Sequence, residues 1–229
     1  MIDRGSMNQE FETRHSTIIV GAGSGVGLAV ARRFAQTGGS IGLIARNPDH
    51  LATLETTLRA EGVNVASAAA DATNPDHLSS AIRGLTRRLG PVGVLCYSPL
   101  PDIHLIKPVL QTGAHDFMAS LALSVGGAAT AVAEVVPAMI DRGYGSLLFT
   151  TGSGAVRPTA GRAASAIATT AETAYVNLLH EELTPAGVRV AQLVVVGQIA
   201  DGGVHEPAQV ADALWAVHEA AGDPVTVLA

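Results

Sequence analysis

Val20-Gly21-Ala22-Gly23-Ser24-Gly25-Val26-Gly27 follows directly on the β-branched run Ser16-Thr17-Ile18-Ile19-Val20 and leads into a stretch of helical period. Glycines at a strand-to-helix turn let the backbone reverse sharply and approach a ligand closely. The helix behind them offers free N–H groups and the positive end of its dipole. A pyrophosphate suits such a turn. Glycines also serve tight turns that bind nothing, so the weight rests on their place after the first strand of an alternating pattern.

Working outward, short apolar runs alternate with longer helical stretches. Residues 16–20 read as a strand and 26–37 as a helix, with Val26, Val30 and Phe34 about one turn apart. Gly38-Gly39 closes that helix, and 41–45 is the second strand. Pro48 opens a helix carrying Leu51, Leu54 and Leu58, which stops near Gly62. Strand 63–70, helix 75–89 and strand 92–97 come next, then the proline-marked loop Ser98-Pro99-Leu100-Pro101-Asp102. Helices are expected over 114–140, 161–183 and 207–221, and strands over 145–151, 188–196 and 225–228. This order predicts a three-layer α/β/α fold around a doubly wound, mostly parallel sheet. With no linker or repeat, residues 16–229 read as one domain. The polar stretch 1–15 reads as a flexible arm outside it, and Met7 after Gly5-Ser6 suggests a partly vector-derived start.

The chain has 229 residues, 48% hydrophobic and 15% charged, enough apolar material for a sizeable core. Its formal charge is −6 with scattered basic residues, which argues against a nucleic-acid partner. Cys96 is the sole cysteine, which excludes intramolecular disulfides and cysteine-rich metal sites. The histidines, His104, His115 and His180 among them, show no metal-ligand spacing, and no Gly-x-Ser-x-Gly elbow offers a hydrolase. No apolar run reads as a membrane span or signal core, so the expected location is cytoplasmic.

The spacing Gly21-x-x-x-Gly25-x-Gly27 resembles the short-chain dehydrogenase/reductase pattern, and the likeness continues over 16–229. Asp71-Ala72-Thr73 after the third strand is similar to the family's adenine-holding aspartate turn. Gly90-Pro91, Gly145 and Val196-Gly197-Gln198-Ile199 also fall at the family's places, with Val196 replacing its proline. The resemblance implies a Rossmann-type fold. It implies a dinucleotide held by Gly21, Gly23, Ser24, Gly25, Val26, Gly27, Asp71, Ala72 and Ser98, with the Ile199 backbone facing the nicotinamide amide. The second strand ends in Ala45-Arg46, with no carboxylate to accept the ribose hydroxyls of NAD(H). A guanidinium suits the 2′-phosphate of NADP(H), the expected cofactor, although an arginine at a helix entrance also serves simply as a solvated charge.

The family's catalytic tyrosine and lysine, one helical turn apart, are missing. Lys107 is the only lysine, and none of Tyr97, Tyr144 and Tyr175 precedes a lysine by four residues. The resemblance puts Ser165 at the tyrosine position, Thr169 at the lysine, Gly152 at the serine and Ser124 at the asparagine. Tyr97, ending the fourth strand, and Ser153, in Thr150-Thr151-Gly152-Ser153-Gly154, are the candidate catalytic replacements. Shielding by Tyr97 and turn capping by Ser153 are the plainer readings. Lys107, Arg157 and Arg162 read as solvated, Tyr175 as packed, and His180 as a surface or interface residue. The connection from Gly197 to Pro207 is too short for a substantial lid.

The expectation is an NADP(H)-dependent oxidoreductase with a non-standard site, acting on an unknown small carbonyl, imine or conjugated substrate. The alternatives are an inactive nucleotide-binding or scaffold homologue and a non-redox lyase, isomerase or cyclase using the same pocket. Small residues such as Gly126, Gly127, Ala128, Ala164, Ala168 and Ala171 favour close helix contact. In the resembling family those two long helices form the dimer interface, so a homodimer or homotetramer is expected.

Overall fold

β1 (Ser16–Val20) and α1 (Val26–Ala35) flank the glycine turn in the computed structural model, which describes residues 15–220 and 222–229. The arm expected at 1–15 lies, but for His15, outside the described residues. β2 (Ser40–Ala45), α2 (Pro48–Ala60), β3 (Val65–Ala69), α3 (Pro75–Leu89) and β4 (Val92–Tyr97) continue the alternation. After a long loop come α4 (Ala114–Leu121), a π-helical segment (Ala122–Gly127) and α5 (Ala128–Arg142). β5 (Gly145–Gly152), α6 (Ala163–Leu183), β6 (Val188–Val195), α7 (Pro207–Glu219) and β7 (Val225–Leu228) complete the chain.

The seven strands pair in the order β3-β2-β1-β4-β5-β6-β7, all parallel. Parallel strands need crossovers, and the helices that make them bury both faces of the sheet. Ile18, Val20, Leu95, Tyr97 and Phe149 face α3, α5 and α6 together with Leu78, Ile82, Val132, Val135 and Val176. Ile19, Leu43, Cys96, Leu148 and Leu193 face α1, α2 and α7 with Phe34, Leu51, Leu58, Val210 and Leu214. Each such side chain taken from water stabilises the fold by about 1.5–3 kcal/mol.

Two helices open on the same four residues. In Asn47-Pro48-Asp49-His50 the Asn47 Oδ1 accepts from the Asp49 and His50 N–H groups at 2.9 and 3.1 Å. In Asn74-Pro75-Asp76-His77 the Asn74 Oδ1 accepts from His77 N–H at 3.1 Å. Proline supplies the helical φ at a position with no partner for an N–H, and each asparagine cap is worth about 1 kcal/mol.

The expected strand 63–70 is shorter, because Val63 N–H closes the end of α2 on Leu58 and the Asn64 amide binds Ser40 Oγ. The expected helix 114–140 runs on to Arg142 and is interrupted by the π segment. This stretch of 29 residues, whose most apolar 18-residue window has a mean hydropathy of 1.6, is long and apolar enough to cross a membrane, which the sequence reading missed. In the fold, Ala128, Ala131, Val135 and Met139 of this stretch are buried, and Val132 and Val135 belong to the core against the sheet.

Candidate functional site

β1 and β4 are neighbours, yet the chain leaves β1 toward β2 and leaves β4 toward β5. The sheet therefore reverses its winding between them, and the crevice outside the carboxyl ends of these strands is where such sheets bind ligands. Gly21 stands at its floor with φ +91°, and a Cβ there would lie 2.5 Å from Pro99 Cα and Ser98 O. The backbone is fixed by Ser98 N–H donating to Val20 O at 2.9 Å, and by Gly21 and Ala22 N–H donating to Ile44 O at 2.9 and 3.0 Å. Gly27 lets α1 close on the turn, since its Cβ would meet Ala22 Cα at 2.8 Å. Gly23 has nothing within 4 Å of its Cβ direction, so the outer side of the turn is open. Ser24 is exposed there, and Gly25, the N-cap of α1, has no side chain to cap the helix N–H groups. This cradle fits a pyrophosphate.

Beside it, β2 and β3 bring Arg46 and Asp71 to one edge. Arg46 is exposed and Asp71 half-buried. Asp71 Oδ1 accepts from Thr73 N–H at 2.9 Å and from Thr73 Oγ1 at 2.8 Å. The Thr73 N–H foremost, then its hydroxyl and the charges of Arg46 and His77, hold the Asp71 carboxyl below the usual carboxylate range. Both bonds fall on Oδ1, which leaves Oδ2 able to accept from a ligand. Ala72 is buried, and its carbonyl packs against Gly127 of the π segment.

At the β4 end, Tyr97 is fully buried and its hydroxyl donates to Leu123 O at 2.5 Å. Burial first, then the nearby Glu172 and Asp71 carboxylates, pushes its phenol pKa well up. The side chain on which the sequence reading placed proton transfer thus points into the core. Gly152 ends β5, and Ser153 opens a short turn whose Ser153 carbonyl accepts from Val156 and Arg157 N–H. That turn packs on α6, where a Cβ on Gly154 would lie 3.0 Å from Thr169 Oγ1. Thr169 donates back to Ser165 O at 2.9 Å, so its hydroxyl is spent within its own helix.

Lys107, read as solvated, is ion-paired with Asp116 at 2.8 Å, and its carbonyl accepts from Ala163 N–H at the start of α6. The loop after β4 is thereby tied to α6. Tyr175 packs against the core, as its helical position suggests, and His180 Nδ1 lies 3.1 Å from Val190 O. The connection 196–206 folds on itself. His205 N–H donates to Gln198 O, Ala200 N–H to His205 O, and Ile199 bridges His205. A cavity of about 480 Å³ lined by Ser146, His180, Arg189 and His218 lies at the opposite, amino ends of β5 and β6.

One group escaped the sequence reading. Glu172 is 4% exposed on α6, on the buried row Ala164, Ala168, Glu172, Val176. Burial raises its carboxyl to about 8, against a smaller opposing pull from the nearby Ser124 hydroxyl. The signal available was a lone acid on an apolar i, i+4 row.

Residues 15–202 match the family model described as short chain dehydrogenase. The chain is 26% identical over 179 residues to 1-deoxy-11-beta-hydroxypentalenate dehydrogenase of Streptomyces exfoliatus, covering 78% of this chain and 65% of that one. It spans less than two thirds of the length of the curated relatives it matches first. A short-chain dehydrogenase from Rhodopseudomonas palustris superposes with a TM-score of 0.84 at 23% identity, covering 94% of this chain and 98% of the other. A short chain oxidoreductase from Pseudomonas aeruginosa PAO1, solved with NADPH and said to contain an atypical catalytic center, gives 0.82 at 18% identity and 90% coverage of both chains.

Proposed function

The chain belongs to the short chain dehydrogenase family, and from that footing we propose that it is an NADP(H)-binding oxidoreductase with a non-standard catalytic centre. The observation that carries the reading is the open glycine cradle at the point where the sheet reverses, with Arg46 and Asp71 on the same edge. In this reading Gly21, Gly23, Ser24, Gly25, Val26 and Gly27 hold the pyrophosphate. Asp71 and Ala72 hold the adenine and Arg46 the 2′-phosphate, while Ser98 and the Ile199 backbone flank the nicotinamide half. The NADPH-bound relative with an atypical catalytic center supports the combination of cofactor and altered site. The cofactor supplies or accepts a hydride when bound, and the chain orients it and manages the proton. A small carbonyl, imine or conjugated compound is the substrate class.

Calorimetric titration with NADPH and with NADH tests the reading. The expected result is NADPH binding at least about tenfold tighter than NADH, or about 1.4 kcal/mol. Binding of neither overturns it. A second reading, nucleotide binding without turnover, draws support from Thr169 and Tyr97, whose hydroxyls are both committed to backbone carbonyls. It predicts that NADPH raises the melting temperature while no carbonyl compound is reduced.

A further inference from the structure

β6 has eight residues and β7 only four. β7 pairs with residues 192–195, and the chain enters it through Pro224, whose carbonyl accepts Gln192 N–H at 2.7 Å. The amino half of β6, residues 188–191, therefore has β5 on one side and no strand on the other. The cavity of about 480 Å³ occupies this notch, between the carboxyl ends of α6 and α7. Its volume lies within the range of small-ligand sites, about 300–1,000 Å³.

Strand alternation distributes the walls. Val188 and Val190 belong to the α6 side, and Arg189 goes with Ala191 to the α7 side. His180 Nδ1 donates to Val190 O at 3.1 Å, since a carbonyl only accepts, and this fixes the α6 wall. On the other wall His218 Nδ1 lies 2.9 Å from Ser146 Oγ, with both residues buried, and the His218 ring packs on Phe34 and Trp215. Half-buried Val217 adds apolar surface beside it.

The charges in this notch are set at different depths. Arg32, Arg33, Arg59 and Arg83 each hold a carboxylate. Arg189 lines the cavity half-buried and, among the described residues, has neither an ion pair nor a hydrogen bond. Glu219 and Asp223 line the same cavity and are exposed, Glu219 lying 3.9 Å from His218 Nε2. A guanidinium drawn partly out of water without a partner is a standing cost, which a carboxylate ligand would offset.

We propose that the notch is a binding site for an α-amino acid with an apolar side chain. Arg189 holds the carboxylate through paired N–H groups, and Glu219 and Asp223 meet the ammonium. Val188, Val190 and Val217 line the place of the side chain. A simple carboxylate would meet the two acids with no charge to answer them, and a simple amine would leave Arg189 without its anion. The site lies at the opposite end of the strands from the glycine turn, and it stands whatever the crevice binds.

The test is a titration of ¹⁵N-labelled protein with L-leucine, followed by NMR. Saturable shifts are expected at the amides of residues 188–191 and 217–219. Isocaproate, which lacks the ammonium, and isoamylamine, which lacks the carboxylate, should each bind at least about tenfold more weakly than leucine. Arg189→Gln should weaken leucine binding by at least about tenfold, and Arg189→Lys, which keeps the charge without the fork, by less. Val217→Trp fills the notch from α7 and should abolish binding, which keeps the proposal open to refutation if Arg189→Gln does not fold. Absence of saturable shifts, shifts centred on other residues, or isocaproate or isoamylamine binding as tightly as leucine overturns the site. Undiminished leucine binding by Arg189→Gln or by Val217→Trp does the same. So does a dependence of these amides on protein concentration without leucine, which would mark the notch as a contact between copies.

Discussion

Two side chains, Arg46 and Glu172, carry most of the chemistry at the scale of single residues. Arg46 is exposed at the end of β2, and its charge already acts on Asp71 across the strand ends. Arg46→Asp replaces a phosphate partner with a carboxylate that repels it. Calorimetry should show NADPH binding weakened by about tenfold or more while NADH binding holds or improves. Glu172 governs a pH dependence of stability. Its carboxyl rises from 4.5 to about 8 on folding, so the native state binds the proton more tightly than the unfolded chain. Stability is therefore full below the unfolded value and falls as pH rises from about 4.5 through about 8. Glu172→Gln cannot ionise. Denaturant melts across this window should show the variant gaining on the native protein as pH rises, by on the order of 1–3 kcal/mol at the alkaline end.

At the scale of elements, the π segment joins the binding edge to the helix layer. A Cβ on Gly127 would lie 2.2 Å from Tyr97 Oη and 2.4 Å from Ala72 O. Gly127→Ala should therefore displace the segment. The expected outcome is a melting temperature several degrees lower, a loss of about 1–3 kcal/mol, together with weaker NADPH binding through Ala72. The strands, the crossover helices and the glycine turn were legible in the sequence because each is a local pattern of period, cap or turn. The π segment was not, since one extra residue in a helical turn leaves the apolar period of 114–140 almost unchanged and depends on packing against α6. Nor was the inward aim of Tyr97. A parallel strand is buried on both faces, so Val92–Tyr97 carries no alternation to mark which side chain faces a ligand. Lys107 read as solvated because its partner Asp116 lies beyond the loop, and only the fold brings the two together.

For the whole molecule, the outer faces of the long helices are apolar where a monomer would be polar. Met118 on α4 and Ile167 and Leu178 on α6 are 67%, 52% and 65% exposed, and the spacing of Ile167 and Leu178 puts them on one face of their helix. A homodimer or homotetramer through these helices is the proposal. Leu178→Asp should shift the protein toward monomer at micromolar concentration, measured by sizing with light scattering. A native protein already monomeric there would end the proposal. The connection 196–206, tied back on itself by His205, bears on how quickly the crevice trades its contents. A mouth without a moving cover imposes no opening step, so residence times follow contact strength alone. Stopped-flow traces of small-molecule binding should then contain one concentration-dependent phase and no slow isomerisation behind it.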